Sequence, residues 1–206
     1  MPELTKLLPK IILASQSPAR KRLLEDLGIA VTVIPTDCDE SYEENSPDKV
    51  VAMLALRKLE TFRKRHPRYT DPVLCCDTMV FCGGKLIGKA ENREEAFAQL
   101  ASFSGKTQSV HSGWALWYND QVLSASDTAY VTFKELTSET IESYLSCREW
   151  VGAAGSYRIQ EQGSSLVRKV EGDFATVIGL PLSQISEILL LTVPVSDGAE
   201  FPPPRG

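Results

Sequence analysis

Short apolar runs rich in β-branched residues alternate along this 206-residue chain with segments of helical period, and that interleaving predicts an α/β fold. Two long strand-like segments, Gln108 to Tyr118 and Gln121 to Phe133, are joined by Asn119-Asp120 and read as an antiparallel hairpin. The order is therefore not strictly βαβ, and the sheet is expected to be mixed. With 43% hydrophobic and 24% charged residues, a chain of this length buries a substantial core, expected as one domain over residues 1–193. A tail follows at 194–206, marked by Phe201-Pro202-Pro203-Pro204.

The first unit is Ile11-Ile12-Leu13-Ala14-Ser15-Gln16-Ser17-Pro18, read as buried strand, tight turn and helix start. Ser15 and Ser17 place hydroxyls beside the free N–H groups of a helix N-terminus, where the dipole favours an anion. Arg20, Lys21 and Arg22 follow, and cations in a first turn are electrostatically misplaced unless something negative sits there. They either solvate the helix or bind phosphate. The stretch lacks the glycines of a P-loop and of a dinucleotide fingerprint, so any phosphate site here is of another kind.

Gly28 is a plausible C-cap and Ala30 to Pro35 a second strand, after which Asp37-Cys38-Asp39-Glu40-Ser41-Tyr42-Glu43-Glu44 forms an acidic loop. Ser46-Pro47 starts a helix to about His66, on which Val51, Leu54, Ala55, Lys58 and Phe62 share one stripe. A lysine within an apolar stripe either snorkels to solvent or aims its charge into a cleft. Val73 to Cys76 is a buried strand expected to end at Asp77, followed by Thr78, Met79-Val80-Phe81-Cys82, a Gly83-Gly84 turn, and Lys85-Leu86-Ile87 returning to Gly88-Lys89. An aspartate there is costly to bury unpaired, which leaves a hydrogen-bond network, a metal, or capping of its own turn.

Asn92 caps a helix from Arg93 to Ser102, Gly105 ends that unit, and Thr137 or Ser138 caps a helix ending near Cys147. Gly152-Ala153-Ala154-Gly155-Ser156-Tyr157-Arg158-Ile159-Gln160 reads as a loop of close approach. Leu166 to Val170, the turn Glu171-Gly172-Asp173 and Phe174 to Ile178 read as a second hairpin. Gly179-Leu180-Pro181 opens a last helix to about Leu191.

A net charge of -5 argues against a non-specific nucleic-acid binder, and a basic cluster inside an acidic protein suggests a small anionic ligand. No stretch reaches the roughly 18 apolar residues of a spanning helix, and Met1 to Lys10 carries charges without an apolar signal core. Cys38, Cys75, Cys76, Cys82 and Cys147 include no Cys-x-x-Cys pair, which disfavours a disulfide framework or zinc site and suits a reducing cytosol. A cytoplasmic protein is expected.

Taken together, Leu13-Ala14-Ser15-Gln16-Ser17-Pro18, Cys76-Asp77-Thr78-Met79-Val80, Leu86-Ile87-Gly88-Lys89, Ser104-Gly105-Lys106-Thr107 and Gly172-Asp173-Phe174-Ala175-Thr176-Val177-Ile178-Gly179-Leu180-Pro181 resemble the Maf family, from about residue 11 to 191. The resemblance implies a fold shared with inosine triphosphate pyrophosphatases, an elongated, twisted mixed sheet flanked by helices with a central cleft. It also implies a nucleoside triphosphate pyrophosphatase, releasing a monophosphate and diphosphate with a divalent cation, Mg²⁺ or Mn²⁺. Carried over by motif, the phosphate-binding Ser and second Arg are Ser15 and Arg20, the two lysines are Lys58 and Lys89, and the acidic-loop glutamate is Glu40. The catalytic aspartate is Asp77, which together with Glu40 is also a candidate metal ligand. The nucleotide is the implied partner, with no nucleic acid and no membrane, and a homodimer is compatible with it.

Three positions bear on the base. In the branch that resembles dTTP and UTP pyrophosphatases, base choice is associated with an Arg, a Thr and a Gln. Thr78 and Gln160 match, whereas Ala19 stands at the Arg position. Arg22 replaces the usual Glu, and Arg158 and Glu161 replace two glycines. dTTP, UTP or modified nucleotides are the expected substrates. These departures motivate an alternative, a nucleotide-binding regulator with weak or no turnover; a phosphatase releasing orthophosphate is a third reading.

Overall fold

The computed structural model describes residues 2–44 and 46–192. In chain order the described elements are α1 (Pro2–Leu7), β1 (Lys10–Leu13), α2 (Pro18–Asp26), β2 (Ala30–Val33), α3 (Pro47–Arg65), β3 (Val73–Cys82), β4 (Lys85–Ile87) and α4 (Arg93–Phe103), then β5 (Thr107–Tyr118), β6 (Gln121–Phe133), α5 (Ser138–Ser146), β7 (Val167–Glu171), α6 (Phe174–Ile178) and α7 (Leu182–Thr192). The strands form one mixed sheet in the order β2-β1-β3-β5-β6-β7, with β4 folded back on β3. β1 runs parallel to β2 and β3, and the pairs from β3 through β7 are antiparallel. The fold is α/β with helices on both faces, as the interleaved pattern predicts.

β3 is central, and it is apolar because both its faces are covered. Cys75 packs with Ala55, Leu59 and Phe62 of α3 on one face. Leu74 and Cys76 pack on the other with Leu24, Leu180 and Ile185, and Val80 joins a further cluster with Phe103, Phe133 and Tyr157. By the same alternation Asp77 points towards α3 and Thr78 away from it. Opposite Asp77 in the β3–β5 register is Gly113. A Cβ there would lie 2.2 Å from the carbonyl carbon and oxygen of Val51, so α3 rests backbone against backbone on β5.

Several expectations need correcting. β3 does not end at Asp77 but continues to Cys82, because Asp77 and Thr78 both find partners inside the structure and nothing forces the ladder to stop. Phe174 to Ile178 is a helix, not the second arm of a hairpin. Asp173 accepts a hydrogen bond from the Ala175 N–H at 2.9 Å, and Gly179 closes the helix at φ +108°. β2 stops at Val33 rather than at Pro35, and a 3₁₀ turn at Gln162–Leu166 was not foreseen. Nor was α1, which delivers the buried Leu4 to the core.

The β5–β6 hairpin is as expected, with Asn119 and Asp120 both at positive φ, the backbone of a tight two-residue turn. All five cysteines are unpaired. Among the described residues no helix is long and apolar enough to cross a membrane. The tail expected at 194–206 lies outside the described residues.

Candidate active site

The β1–α2 turn, the acidic loop, α3, β3 and the 152–160 loop converge on a cleft of about 370 Å³. Ser15, Ala19, Arg20, Glu40, Lys58, Asp77, Thr78, Lys89 and Gln160, scattered over most of the sequence, all line it. Arg158 lines it too, as do Asp37 and Tyr157.

α2 resolves the puzzle of its basic first turn. Ser17 caps the helix by accepting from the Arg20 N–H, and Pro18 needs no partner for the N–H it lacks. The half-buried Lys21 and the exposed Arg22 pair with Glu25 and Asp26 one turn on, contacts that contribute little to stability. Arg20 alone turns inward. Its Nε donates to the Gly179 carbonyl at 2.8 Å, its Nη1 to Ser15 Oγ at 2.9 Å and the Cys76 carbonyl at 3.1 Å, and its Nη2 to Thr78 Oγ1 at 2.9 Å. All four acceptors are neutral, and among the described residues no carboxylate pairs with it. The guanidinium is fixed in direction and uncompensated in charge, which is what an anion site needs.

Thr78 Oγ1 is also 2.9 Å from Ser112 Oγ, and Ser112 donates to the Thr176 carbonyl at 2.8 Å. A serine has one proton, so Ser112 spends it on Thr176, and Thr78 must donate to Ser112. The chain runs from Arg20 through Thr78 and Ser112 to Thr176. Towards the cleft, Thr78 therefore offers only a lone pair.

Lys58 occupies the opposite wall. Its Nζ lies 2.5 Å from Asp77 Oδ1 and 2.8 Å from Glu40 Oε1. Burial alone would push the Lys58 pKa down, but the charges and hydrogen bonds of Asp77 and Glu40 outweigh it and hold the ammonium above its ordinary value. The hydrogen bond from Lys58 in turn holds the Glu40 carboxyl below the usual range. The lysine in the apolar stripe does not snorkel; it reaches into the cleft. Lys89 is exposed at the rim, where its backbone bridges to Ala154 and the Gly155 N–H donates to the Gly88 carbonyl at 3.0 Å. Those bonds carry the loop with Arg158 and Gln160 to the cleft.

Glu40 and Asp77 are hard oxygen donors already converging on one cation, the Lys58 ammonium, so their placement fits a shared divalent ion. Among the described residues no group of three or more His, Cys, Asp or Glu is gathered for a metal. The arrangement suits an ion that takes one or two carboxylates and draws its other ligands from substrate phosphates and water.

Two contributors were not found by reading the sequence. Gly179 gives a carbonyl to Arg20, and Ser112 accepts from Thr78. Ser112 did carry a signal, since it stands at an inward position of β5 between the buried Val110 and Trp114.

The chain is similar over most of its length to known proteins. The family model described as Maf-like protein matches residues 10–191. A dTTP/UTP pyrophosphatase of Thermosipho africanus is 39% identical over 180 residues, covering 87% of this chain and 92% of the relative. A dTTP/UTP pyrophosphatase of Bacillus thuringiensis subsp. konkukian is 39% identical over 177 residues, covering 85% and 92%. Among solved structures, the Staphylococcus aureus Ham1 protein aligns with a TM-score of 0.49 at 10% identity, over 88% of this chain and 98% of that one.

Proposed function

This chain belongs to the Maf-like protein family, and from that premise we propose that it is a nucleoside triphosphate pyrophosphatase acting on dTTP or UTP. One observation carries the reading: a single cleft holds the Glu40–Lys58–Asp77 cluster on one wall and the uncompensated guanidinium of Arg20 on the other. Such a site binds a polyphosphate and presents a carboxylate beside it.

In the reaction, Arg20, Lys58 and Lys89 neutralise the phosphates and Ser15 helps to hold them. A water oxygen bonds to phosphorus, the anhydride bond between the α and β phosphates breaks, and diphosphate leaves with the electron pair. Asp77 accepts the water proton, the Lys58 hydrogen bond fixing which oxygen is free to do so. Glu40 and Asp77 are the residues that would hold a divalent ion, Mg²⁺ or Mn²⁺, which when bound supplies further neutralisation of phosphate charge.

The base is read by Thr78 and Gln160, beside the space left by Ala19. A lone pair at Thr78 suits the N3–H donor of uracil or thymine and is left unpaired by cytosine, whose N3 is itself an acceptor. We place the reaction in the cytoplasm, on free nucleotides rather than nucleic acid; the -5 net charge and five unpaired cysteines support that reading.

Product analysis tests the proposal. With UTP or dTTP and Mg²⁺ or Mn²⁺, the monophosphate and pyrophosphate are expected in equal amounts. Orthophosphate as the first product would make the chain a phosphatase, and nucleotide binding without turnover under every metal tried would make it a regulator.

A further inference from the structure

We propose that Arg57 is the positioning residue for the acidic loop, gripping the peptide carbonyls on either side of Glu40 so that its carboxylate is held over Lys58; the inference rests on the role given to Glu40 above. Arg57 Nη1 donates to the Asp39 carbonyl at 2.6 Å and to the Ser41 carbonyl at 2.7 Å. Glu40 is the residue between them, and its side chain goes to the neighbouring Lys58. Two consecutive residues of α3 therefore hold one loop, Arg57 by its backbone and Lys58 by its carboxylate.

The loop needs such a grip because it has little of its own. From Ile34 to Glu44 the chain forms neither helix nor strand, and the turn at Asp39 is closed locally by its carboxylate, which accepts from the Ser41 N–H and hydroxyl, both at 2.9 Å. Those bonds shape the turn without tying it to the rest of the protein. The tie is Arg57. Its guanidinium has no ion pair among the described residues; the two hydrogens of one nitrogen, Nη1, each reach a carbonyl, and Nη2 lies 3.8 Å from Met53 Sδ on the preceding turn of α3, so the planar group is held in one orientation.

The test pairs kinetics with thiol labelling on the full chain, using Arg57→Ala, Arg57→Lys, Glu40→Ala and the double variant Arg57→Ala/Glu40→Ala. Cys38 lies in the loop and is partly exposed, whereas Cys75, Cys76 and Cys82 are buried. Without nucleotide, N-ethylmaleimide labelling followed by peptide mass spectrometry should show Cys38 reacting roughly fivefold or more faster in Arg57→Ala, with Arg57→Lys between it and wild type.

With UTP and Mg²⁺, kcat/KM should fall about tenfold or more in Arg57→Ala, and the double variant should be no worse than Glu40→Ala alone, because the two act as one unit. An unchanged Cys38 rate overturns the grip, as does equal exposure of the three buried cysteines, which would make Arg57 a general packing residue. Additive losses of activity overturn its action through Glu40. If Glu40→Ala retains full activity, the role given to Glu40 fails, and the grip is judged on Cys38 labelling alone.

Discussion

Lys58 reaches Asp77 across the gap between α3 and β3, and both side chains are nearly enclosed, 13% and 12% exposed. A carboxylate so placed is oriented as well as charged. Asp77→Asn keeps its size and removes the charge that accepts a proton, while Lys58 retains Glu40 as its partner. Turnover is expected to fall by about 10²–10⁴-fold, the usual contribution of general acid–base catalysis, with little change in the melting temperature. Near-wild-type turnover in a folded variant would take Asp77 out of the mechanism.

Lys58→Met separates packing from charge, since methionine keeps most of the apolar stem. Activity should be lost, and the folded state destabilised by about 1–3 kcal/mol at neutral pH because Asp77 loses its ion-pair partner in a mostly buried setting. The loss depends on pH. The Lys58 pKa is raised above 10.5 in the folded protein, so its contribution is complete below that value and fades as pH rises through the folded pKa. The Glu40 pKa is lowered below 4.5, so its contribution is present above that value and fades as pH falls through the folded pKa. Denaturant titrations should show the gap between wild type and variant widest between these limits and narrowing beyond both. A gap independent of pH would mean that the lysine matters for packing alone.

Gly179→Ala probes the opposite wall without replacing a charged group. A Cβ at this position would lie 2.8 Å from Thr78 Oγ1 and 3.1 Å from both Nε and Nη2 of Arg20, on a backbone at φ +108°. The variant is expected to lose about 1–3 kcal/mol of stability and, because Arg20 is displaced, a larger share of kcat/KM than of folded protein. Thermal melts and steady-state kinetics on the same preparation give the two numbers. Equal activity per folded molecule would detach the Arg20 network from catalysis.

Ala19→Arg adds a donor to the cleft that Thr78 also lines. The ratio of kcat/KM for UTP over a purine triphosphate should rise by about tenfold, some 1.4 kcal/mol in transition-state binding. A panel of canonical and modified triphosphates measures it, and an unchanged ratio would show that position 19 does not select the base.

Much of the site was legible because its residue types were costly to place otherwise. Lys58 stood in an apolar stripe and Asp77 beside a buried strand, and each implied a partner; each turned out to be the other's. What the sequence could not convey was that mutual pairing removes the reason for a strand to stop, so β3 runs on through two polar residues. Phe174 to Ile178 failed for a different reason. Five residues are too few for periodicity to separate helix from strand, and the outcome was decided outside the segment by the Asp173 cap and Gly179. Arg57 had no signal at all, since its partners are peptide carbonyls, which every residue possesses.

The glycine opposite Asp77 has a consequence for attempts to redesign this cleft. Because α3 meets β5 at Gly113 through peptide atoms on both sides, the height at which Lys58 hangs above the sheet is set by a contact with no side chain to trim or repack. A single methyl group at position 113 would lift the helix and draw the ammonium from its carboxylate. That dimension of the cleft is rigid by construction. At the opposite rim the Arg158 backbone is held by the Tyr144 hydroxyl, but its guanidinium reaches the Val151 carbonyl of its own loop and Gln160 is exposed, so a wider choice of base would have to be engineered in those side chains.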